Sequence, residues 1–188
     1  MKTFVATCLL FCSTTTVSAS PYIELSYTDY RDSYAARSLY VDQEINGRDS
    51  VSVSVYEDSE YESVYVGLSR QFGNTVLGLS VGEAKISGKP TVGYNPWLWY
   101  DDGKWEGYAE YEYLKDDKDA WYYRSYLHAN MTENLFAGLY SERGIGTGPL
   151  LGMQFGRENG GFKAWIVTPA VNEADVKAVL NLSIWLEF

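Results

Sequence analysis

Hydrophobic and polar residues alternate along most of this chain, which is the pattern of strands. In the segment VLNLSIWLEF, residues 179–188, every second residue from Leu180 to Phe188 is apolar, and the residues between them are Asn, Ser, Trp and Glu. Because successive side chains of an extended chain point to opposite faces, this segment has one fully apolar face. Similar segments recur along the chain between turn signals, so the pattern predicts an all-β protein.

Turn signals divide the chain into twelve predicted strands. The segments 46–49, 73–74, 101–104, 132–134 and 158–161 have the composition of tight turns and follow every second strand. We therefore expect an antiparallel up-and-down arrangement in which these turns and both chain ends lie at one end. Two prolines at or next to residues 91–100 have no N–H group to donate to a β-ladder, which weakens the assignment of that segment as a strand. Ten strands is therefore the alternative. The predicted strands are 22–30, 36–45, 50–57, 62–72, 75–84, 91–100, 105–114, 120–131, 135–142, 149–157, 162–169 and 176–188.

Residues 1–19 have the composition of a secretory signal peptide. Lys2 precedes an apolar stretch that extends to Phe11, and small residues lead up to Ala19. Both cysteines, Cys8 and Cys12, lie inside this segment, so we expect the exported part to contain no disulfide. Residues 20–188 are then expected to form one barrel domain.

The composition of the polar faces decides what the apolar faces contact. In the fourth and fifth predicted strands, valine and leucine alternate with serine, glycine and tyrosine. A face of this kind cannot pack a dry core, so the apolar faces should point outward into lipid. No run approaches the ~20 apolar residues that a spanning helix needs. The 17 Tyr and 6 Trp fit the aromatic girdles of a transmembrane β-barrel. The sequence thus predicts an antiparallel up-and-down barrel in contact with outer-membrane lipids.

The last predicted strand also resembles the C-terminal assembly signal of bacterial outer-membrane barrels. Those signals share alternating apolar residues and a final aromatic residue, which correspond here to Leu182, Ile184, Leu186 and Phe188. The resemblance implies that the barrel-assembly machinery inserts this chain into the outer membrane of a Gram-negative bacterium.

Charged residues on the predicted inner faces are mostly acidic. Glu24, Asp42, Glu44, Glu142 and Glu187 fall on inner faces by the same alternation, and Lys163 opposes them. A row of carboxylates on strand 105–114 lies beside an arginine on the next strand, which allows cross-strand pairing. Such a wall around about twelve strands is expected to enclose water. The candidate pore-lining residues are Glu106, Tyr108, Glu110, Glu112, Arg124, Tyr126 and His128.

A barrel of this size with short turns resembles the small monomeric oligosaccharide porins, the family of oligogalacturonate and sialic-acid channels. The resemblance spans residues 20–188 and consists of architecture alone. It implies passive transport of small hydrophilic solutes. Those channels use inward basic residues for acidic sugars, whereas the inward charges here are mainly carboxylates. We therefore expect a porin-like channel for small cations or neutral solutes such as sugars.

Catalytic and cofactor chemistry receives little support from the sequence. Outer-membrane phospholipases resemble one another in a His-x-Ser arrangement, and here Asn130 stands where that serine would be, two residues after His128. We expect His128 to be a hydrogen-bonded interior residue, and we expect no enzyme activity, no cofactor and no metal ion. A net charge of -10 argues against nucleic acid as a partner. The alternative to a channel is a closed outer-membrane barrel with a structural, adhesion or host-interaction role.

Overall fold

The computed structural model describes residues 21–31, 33–116, 121–156, 159–172 and 176–188. The predicted signal peptide, residues 1–19, lies outside these residues and stays a prediction. Within the described residues, no helix has the length and apolar character to cross a membrane.

Twelve antiparallel strands close into a barrel, as the sequence predicted. The ring closes because β13 pairs with both β1 and β11, while the two-residue β12 pairs with β10 beside the ring. The ten-strand alternative is thereby rejected. The strands are β1 (Tyr22–Tyr30), β2 (Tyr34–Glu44), β3 (Asp49–Glu57), β4 (Tyr61–Phe72), β5 (Thr75–Ile86), β6 (Lys89–Asp101), β7 (Trp105–Leu114), β8 (Trp121–Asn130), β9 (Leu135–Glu142), β10 (Gly146–Phe155), β11 (Gly160–Val167), β12 (Val171–Asn172) and β13 (Val179–Glu187).

The predicted tight turns lie together at one end of the barrel, which we call the turn end, except that residue 158 of the last turn lies outside the described residues; the opposite end is the loop end. Side chains stabilise these turns locally. The backbone N–H of Trp105 donates to Asp102 at 2.7 Å, and the Tyr100 hydroxyl donates to it at 2.8 Å. These hydrogen bonds hold the pKa of the Asp102 carboxyl below its usual range. Thr132 accepts from the N–H of Leu135 at 3.0 Å in the same way.

Strand β6 accommodates both prolines that the sequence marked as obstacles. Its pairing with β5 is continuous, from Thr75 opposite Tyr100 to Ile86 opposite Lys89. Its pairing with β7 is interrupted between Tyr94 and Trp97, at Pro96. Because Pro96 has no N–H to donate, the ladder loses pairs locally without ending the strand.

The outward faces carry an apolar belt, which confirms the predicted orientation of the strands. Leu68 is 64% exposed and Val66 is 53% exposed, while Ser63, Tyr65 and Ser69 on the opposite face of β4 are buried. A continuous exposed apolar surface around a closed sheet requires lipid to cover it. Further exposed members of this belt are Leu25, Leu77, Leu79, Leu127, Leu139, Leu151, Ile166 and Ile184.

Aromatic residues flank the belt on β7 and β8. Trp105 lies at the turn end, and Tyr111 and Trp121 stack at the loop end with ring centroids 5.9 Å apart. Each of the three is at least 36% exposed on the outer face. Tyrosine and tryptophan at both rims are the arrangement by which transmembrane barrels contact the two membrane interfaces.

Glycines on the inner face make room for aromatic rings on the neighbouring strand. Gly78 lies opposite Trp97 and Gly152 lies opposite Phe136 in the β-ladders. A Cβ atom at these glycines would come within 2.1 Å and 2.2 Å of the facing rings. The missing side chains therefore let each ring lie against the barrel wall, as in aromatic rescue of glycine.

Substituting Gly152 with alanine is expected to lower the free energy of unfolding by about 1–3 kcal/mol, because the new methyl group displaces Phe136. Urea unfolding in detergent micelles, followed by tryptophan fluorescence, measures the change. Gly107→Ala is the matched control, since its Cβ would meet the end of the Leu127 side chain at 3.2 Å and the Tyr126 carbonyl oxygen at an ordinary contact distance of 3.5 Å. Equal unfolding midpoints for the two variants would show that Phe136 has room to move.

The inner face is less uniformly polar than the alternation predicted. A cluster of buried apolar side chains fills one side of the barrel, toward the loop end. Ile145 and Val176 come from the loop-end connections and are 3% and 1% exposed. Inward apolar positions of the strands supply the rest of the cluster, most of them near the loop end, with Leu150 in the middle of β10 and Phe136 near the turn end of β9. Its other members are Tyr30, Ala36, Phe136, Tyr140, Leu150, Val167 and Val179.

Candidate functional site

The seven candidate residues all lie on the inner faces of β7 and β8, where they separate into three groups. The first group is centred on Glu110. Arg124 Nη2 lies 2.8 Å from Glu110 Oε1, and the Tyr108 hydroxyl donates to Glu110 Oε2 at 2.9 Å. Asn95 of β6 donates to the same oxygen at 3.1 Å. Glu110 and Arg124 are directly opposite in the ladder, so the predicted cross-strand ion pair is present.

The second group is centred on Glu106. Lys163 Nζ lies 2.6 Å from Glu106 Oε1, and the Tyr126 hydroxyl donates to that oxygen at 3.2 Å. His128 Nε2 lies 3.5 Å from the other carboxylate oxygen. Lys163 belongs to β11, which three strands separate from β7 around the ring. This ion pair therefore crosses the interior of the barrel.

The third group is centred on Glu112, which contacts strand β4. Tyr61 and Tyr65 both donate hydrogen bonds to Glu112 Oε1. Strands β5 and β6 lie between the partners, so these contacts also bridge non-adjacent strands. The tyrosines neutralise none of the charge of Glu112, but they fix its position on the inner wall.

A fourth carboxylate, Glu142 of β9, is more deeply buried than any of the candidates on β7. It is 1% exposed and accepts hydrogen bonds from Tyr30 at 3.0 Å, from Tyr122 at 2.5 Å and from Tyr140. Tyr30 lies on β1, across the interior from β9. The sequence placed Glu142 on an inner face but gave no sign of this tyrosine cluster.

A tyrosine two residues before a carboxylate recurs along the chain, and sequence reasoning missed this signal. Alternate residues of a strand share a face, so each hydroxyl reaches the carboxylate of its own strand. The pairs with this hydrogen bond are Tyr22–Glu24, Tyr40–Asp42, Tyr56–Asp58, Tyr100–Asp102, Tyr108–Glu110 and Tyr140–Glu142. In four of these pairs the motif orients a carboxylate on the inner wall, and one of the four, Glu110, is also paired with Arg124. Asp58 and Asp102 lie just beyond the ends of their strands.

The interior has a solvated side and a closed side. The charged side chains of Arg124, Lys163 and Glu106 are 28%, 16% and 14% exposed, so water reaches them inside the barrel. His128 and Glu142, by contrast, are each 1% exposed and border the apolar cluster. Glu44 and Glu187, predicted to face inward, are exposed at the turn end.

His128 differs from the expectation of a hydrogen-bonded interior histidine. Neither ring nitrogen has a hydrogen-bond partner among the described residues. The imidazole instead stacks on Phe136, with ring centroids 4.2 Å apart, and on Tyr126 at 5.7 Å. The described part of the chain contains no group of three or more His, Cys, Asp or Glu side chains that would hold a metal ion.

The residues of the predicted assembly signal lie on the outer face of the last strand. Leu182, Ile184 and Leu186 of β13 are 36%, 55% and 46% exposed, and Phe188 is 67% exposed. These positions place the four side chains in or beside the apolar belt. Recognition by the barrel-assembly machinery stays a prediction.

No family model matches the sequence, and no curated protein matches it. Solved structures do match. The KdgM porin has a TM-score of 0.58 at 8% identity over 89% of this chain and 99% of that one. The NanC porin has a TM-score of 0.50 at 11% identity over 89% and 100% of the two chains. An active-site mutant of outer membrane phospholipase A from Escherichia coli has a TM-score of 0.52 at 9% identity over 92% and 93%.

Identities this low establish a shared fold and nothing finer. The fold confirms the predicted closed twelve-strand antiparallel barrel, and its architecture is similar to that of the small outer-membrane porins. The same fold also carries a phospholipase. The chemistry of the interior therefore has to decide between functions, and the absence of enzyme activity stays a prediction.

Proposed function

We propose that this protein is a narrow outer-membrane channel for passive diffusion of small cations and small neutral solutes such as sugars. The observation that carries the proposal is a group of partly exposed ionic side chains on the inner wall. Glu106, Glu110, Arg124 and Lys163 are between 11% and 28% exposed although each lies inside a closed barrel. If the interior were packed only for stability, we would expect these ionic groups to be fully enclosed and paired, because a buried charge is costly unless it is paired.

The balance of charge on this wall favours cations. Six of the described inward carboxylates share the inner wall with the two cations Arg124 and Lys163. Fixed carboxylates in a narrow passage attract cations and tolerate neutral solutes. The six are Glu24, Asp42, Glu106, Glu110, Glu112 and Glu142.

Aromatic rings on the solvated side support passage of neutral sugars. The rings of Tyr22 and Tyr40 meet edge to face with centroids 6.2 Å apart, and those of Tyr108 and Tyr126 stack at 5.7 Å. All four side chains are only partly buried. Such rings offer apolar faces to the C–H groups of a sugar, while the neighbouring carboxylates accept from its hydroxyls.

The second candidate, a closed barrel with a structural, adhesion or host-interaction role, is favoured by the apolar cluster and the cross-barrel contacts. Ile145 and Val176 cover part of the loop end, and the Tyr30–Glu142 hydrogen bond joins two strands that three others separate around the ring. Planar-bilayer recording on the refolded protein separates the two candidates. Discrete conductance steps support the channel, and a silent membrane that contains folded protein supports the closed barrel.

Replacing Glu106, Glu110 and Glu112 together with glutamine is expected to shift selectivity from cations toward anions. The variant removes three negative charges from the part of the inner wall that Glu106, Glu110 and Glu112 form, which we call the constriction, and leaves Arg124 and Lys163 in place. The shift in reversal potential should shrink at high salt, because the screening length falls to about 3 Å at 1 M. Reversal potentials in a salt gradient measure it.

The matched control removes three charges from outside the passage: Glu60, Glu62 and Glu83, each replaced by glutamine. Glu62 and Glu83 lie on the outer face near the loop end, beside Lys85. This variant should keep the selectivity of the unmodified protein. Equal shifts in the two triple variants would show that surface charge, and not the proposed constriction, sets selectivity.

A further inference from the structure

Lys163 occupies a cage of aromatic rings and a carboxylate that is matched to a primary ammonium group. Its Nζ atom lies 2.6 Å from Glu106 Oε1, 5.1 Å from the centroid of the Phe136 ring and 5.8 Å from that of Tyr126. A carboxylate contact combined with two rings within about 6 Å is the coordination by which proteins bind alkylammonium groups. The four members of this cage come from β7, β8, β9 and β11.

The fold holds the cage in place independently of Lys163. Phe136 is fully buried because Gly152 leaves space for its ring against the wall. The Tyr126 hydroxyl is fixed on Glu106, and the His128 imidazole, 1% exposed and without a hydrogen-bond partner among the described residues, stacks between Tyr126 and Phe136. The walls would therefore persist if the ammonium group left.

Lys163 is tethered to the opposite side of the passage from Glu106. Its contact with Glu106 spans the interior between β7 and β11, which three other strands separate around the ring. Glu106 and Lys163 remain 14% and 16% exposed, so a small dissolved cation has access to the contact.

We propose that this cage is a binding site for primary alkylammonium solutes and that Lys163 is its built-in competitor. A dissolved primary amine, in its protonated form, takes the place of the Lys163 ammonium group on Glu106, between the rings of Tyr126 and Phe136. The inference deepens the proposed function, because it names a solute class for the constriction. Binding to the cage can nevertheless be measured without any conductance.

The test removes the tethered ammonium group and supplies a free one. Lys163→Ala deletes a fragment equivalent to propylammonium and leaves Glu106 without its cation. The measurement is gel electrophoresis of samples heated to a series of temperatures, in which the folded barrel runs as a separate band. We expect the folded band of the variant to disappear at a lower temperature than that of the unmodified protein. Propylammonium chloride in the millimolar range should restore most of the lost thermal stability, and the gain in stability should saturate with its concentration. Sodium and tetramethylammonium chloride at equal concentration should restore little, since neither donates an N–H hydrogen bond to Glu106.

Two control variants make the result specific to the cage. Lys85→Ala removes a lysine that lies near Glu62 and Glu83 on the outer surface, and its stability should not respond selectively to propylammonium. Glu106→Gln combined with Lys163→Ala should abolish the selective rescue. Lys163→Gln replaces Lys163→Ala if the alanine variant does not fold, and the same selective gain is expected.

Absence of a selective gain with propylammonium, or an equal gain with tetramethylammonium, would overturn the proposal. So would an undiminished gain in the double variant. If propylammonium selectively raises the stability of the variant but the protein forms no conducting channel, the cage is supported and only the proposed diffusion role is refuted. If the protein conducts ions but propylammonium gives no selective gain in stability, the channel is supported and the cage is refuted.

Discussion

Replacing Glu142 with alanine is expected to lower the free energy of unfolding by about 3 kcal/mol or more. The substitution leaves the hydroxyl groups of Tyr30, Tyr122 and Tyr140 without their shared acceptor inside the barrel. Each buried donor left unsatisfied costs about 1–3 kcal/mol. It also removes a contact that joins β1 to β9, so the loss should appear in cooperative unfolding of the whole barrel.

Urea unfolding in lipid vesicles or micelles measures this effect, with two controls. Glu142→Gln keeps a carbonyl oxygen for the tyrosines and should lose distinctly less stability than the alanine variant. Glu83→Ala removes a carboxylate whose side chain is 62% exposed on the outer face, and should change stability by less than about 0.5 kcal/mol. If Glu142→Ala matched Glu83→Ala, the tyrosine cluster would contribute nothing to stability.

Replacing Val66 with arginine is expected to destabilise the folded barrel by about 2–4 kcal/mol, because it places a charge at mid-depth in the bilayer. Val66 is 53% exposed on the outer face and lies near the middle of β4. Phe72 lies on the same face of the same strand, at its turn end, and is 57% exposed.

Phe72→Arg is the matched control for this depth dependence. An arginine near the interface costs about 0–1 kcal/mol, so this variant should fold almost as well as the unmodified protein. The comparison uses vesicles, since detergent does not impose a defined apolar thickness. Equal losses at the two positions would contradict a membrane belt centred on the middle of β4.

The candidate site was predictable only as far as faces are concerned. Alternation alone placed Glu106, Glu110 and Arg124 on inner walls, and adjacency of the two strands predicted that Arg124 lies beside a row of carboxylates. The register of the structure selects Glu110 as its partner. The partners of Glu106 and Glu112 did not follow. Lys163 and Tyr61 lie on strands that are distant in the ring, and residue order gives no measure of distances across a lumen.

The sequence by itself determined the strand number, the approximate strand bounds and the outward apolar belt. These features are local: side-chain direction in a strand has a period of two, and turn residues mark where strands end. The position of Pro96 within β6 shows the limit of such rules, since proline proved compatible with a strand that loses a few pairs on one side.

Only the tertiary structure decided what the interior of the barrel contains. Ring closure brought Tyr30 to Glu142 and Lys163 to Glu106, and it set loop-end residues Ile145 and Val176 against buried strand ends. The physical reason is that inward side chains interact across the lumen, where their separation depends on barrel diameter, strand tilt and register together. Alternation specifies which way a side chain points, and closure of the sheet specifies what it meets.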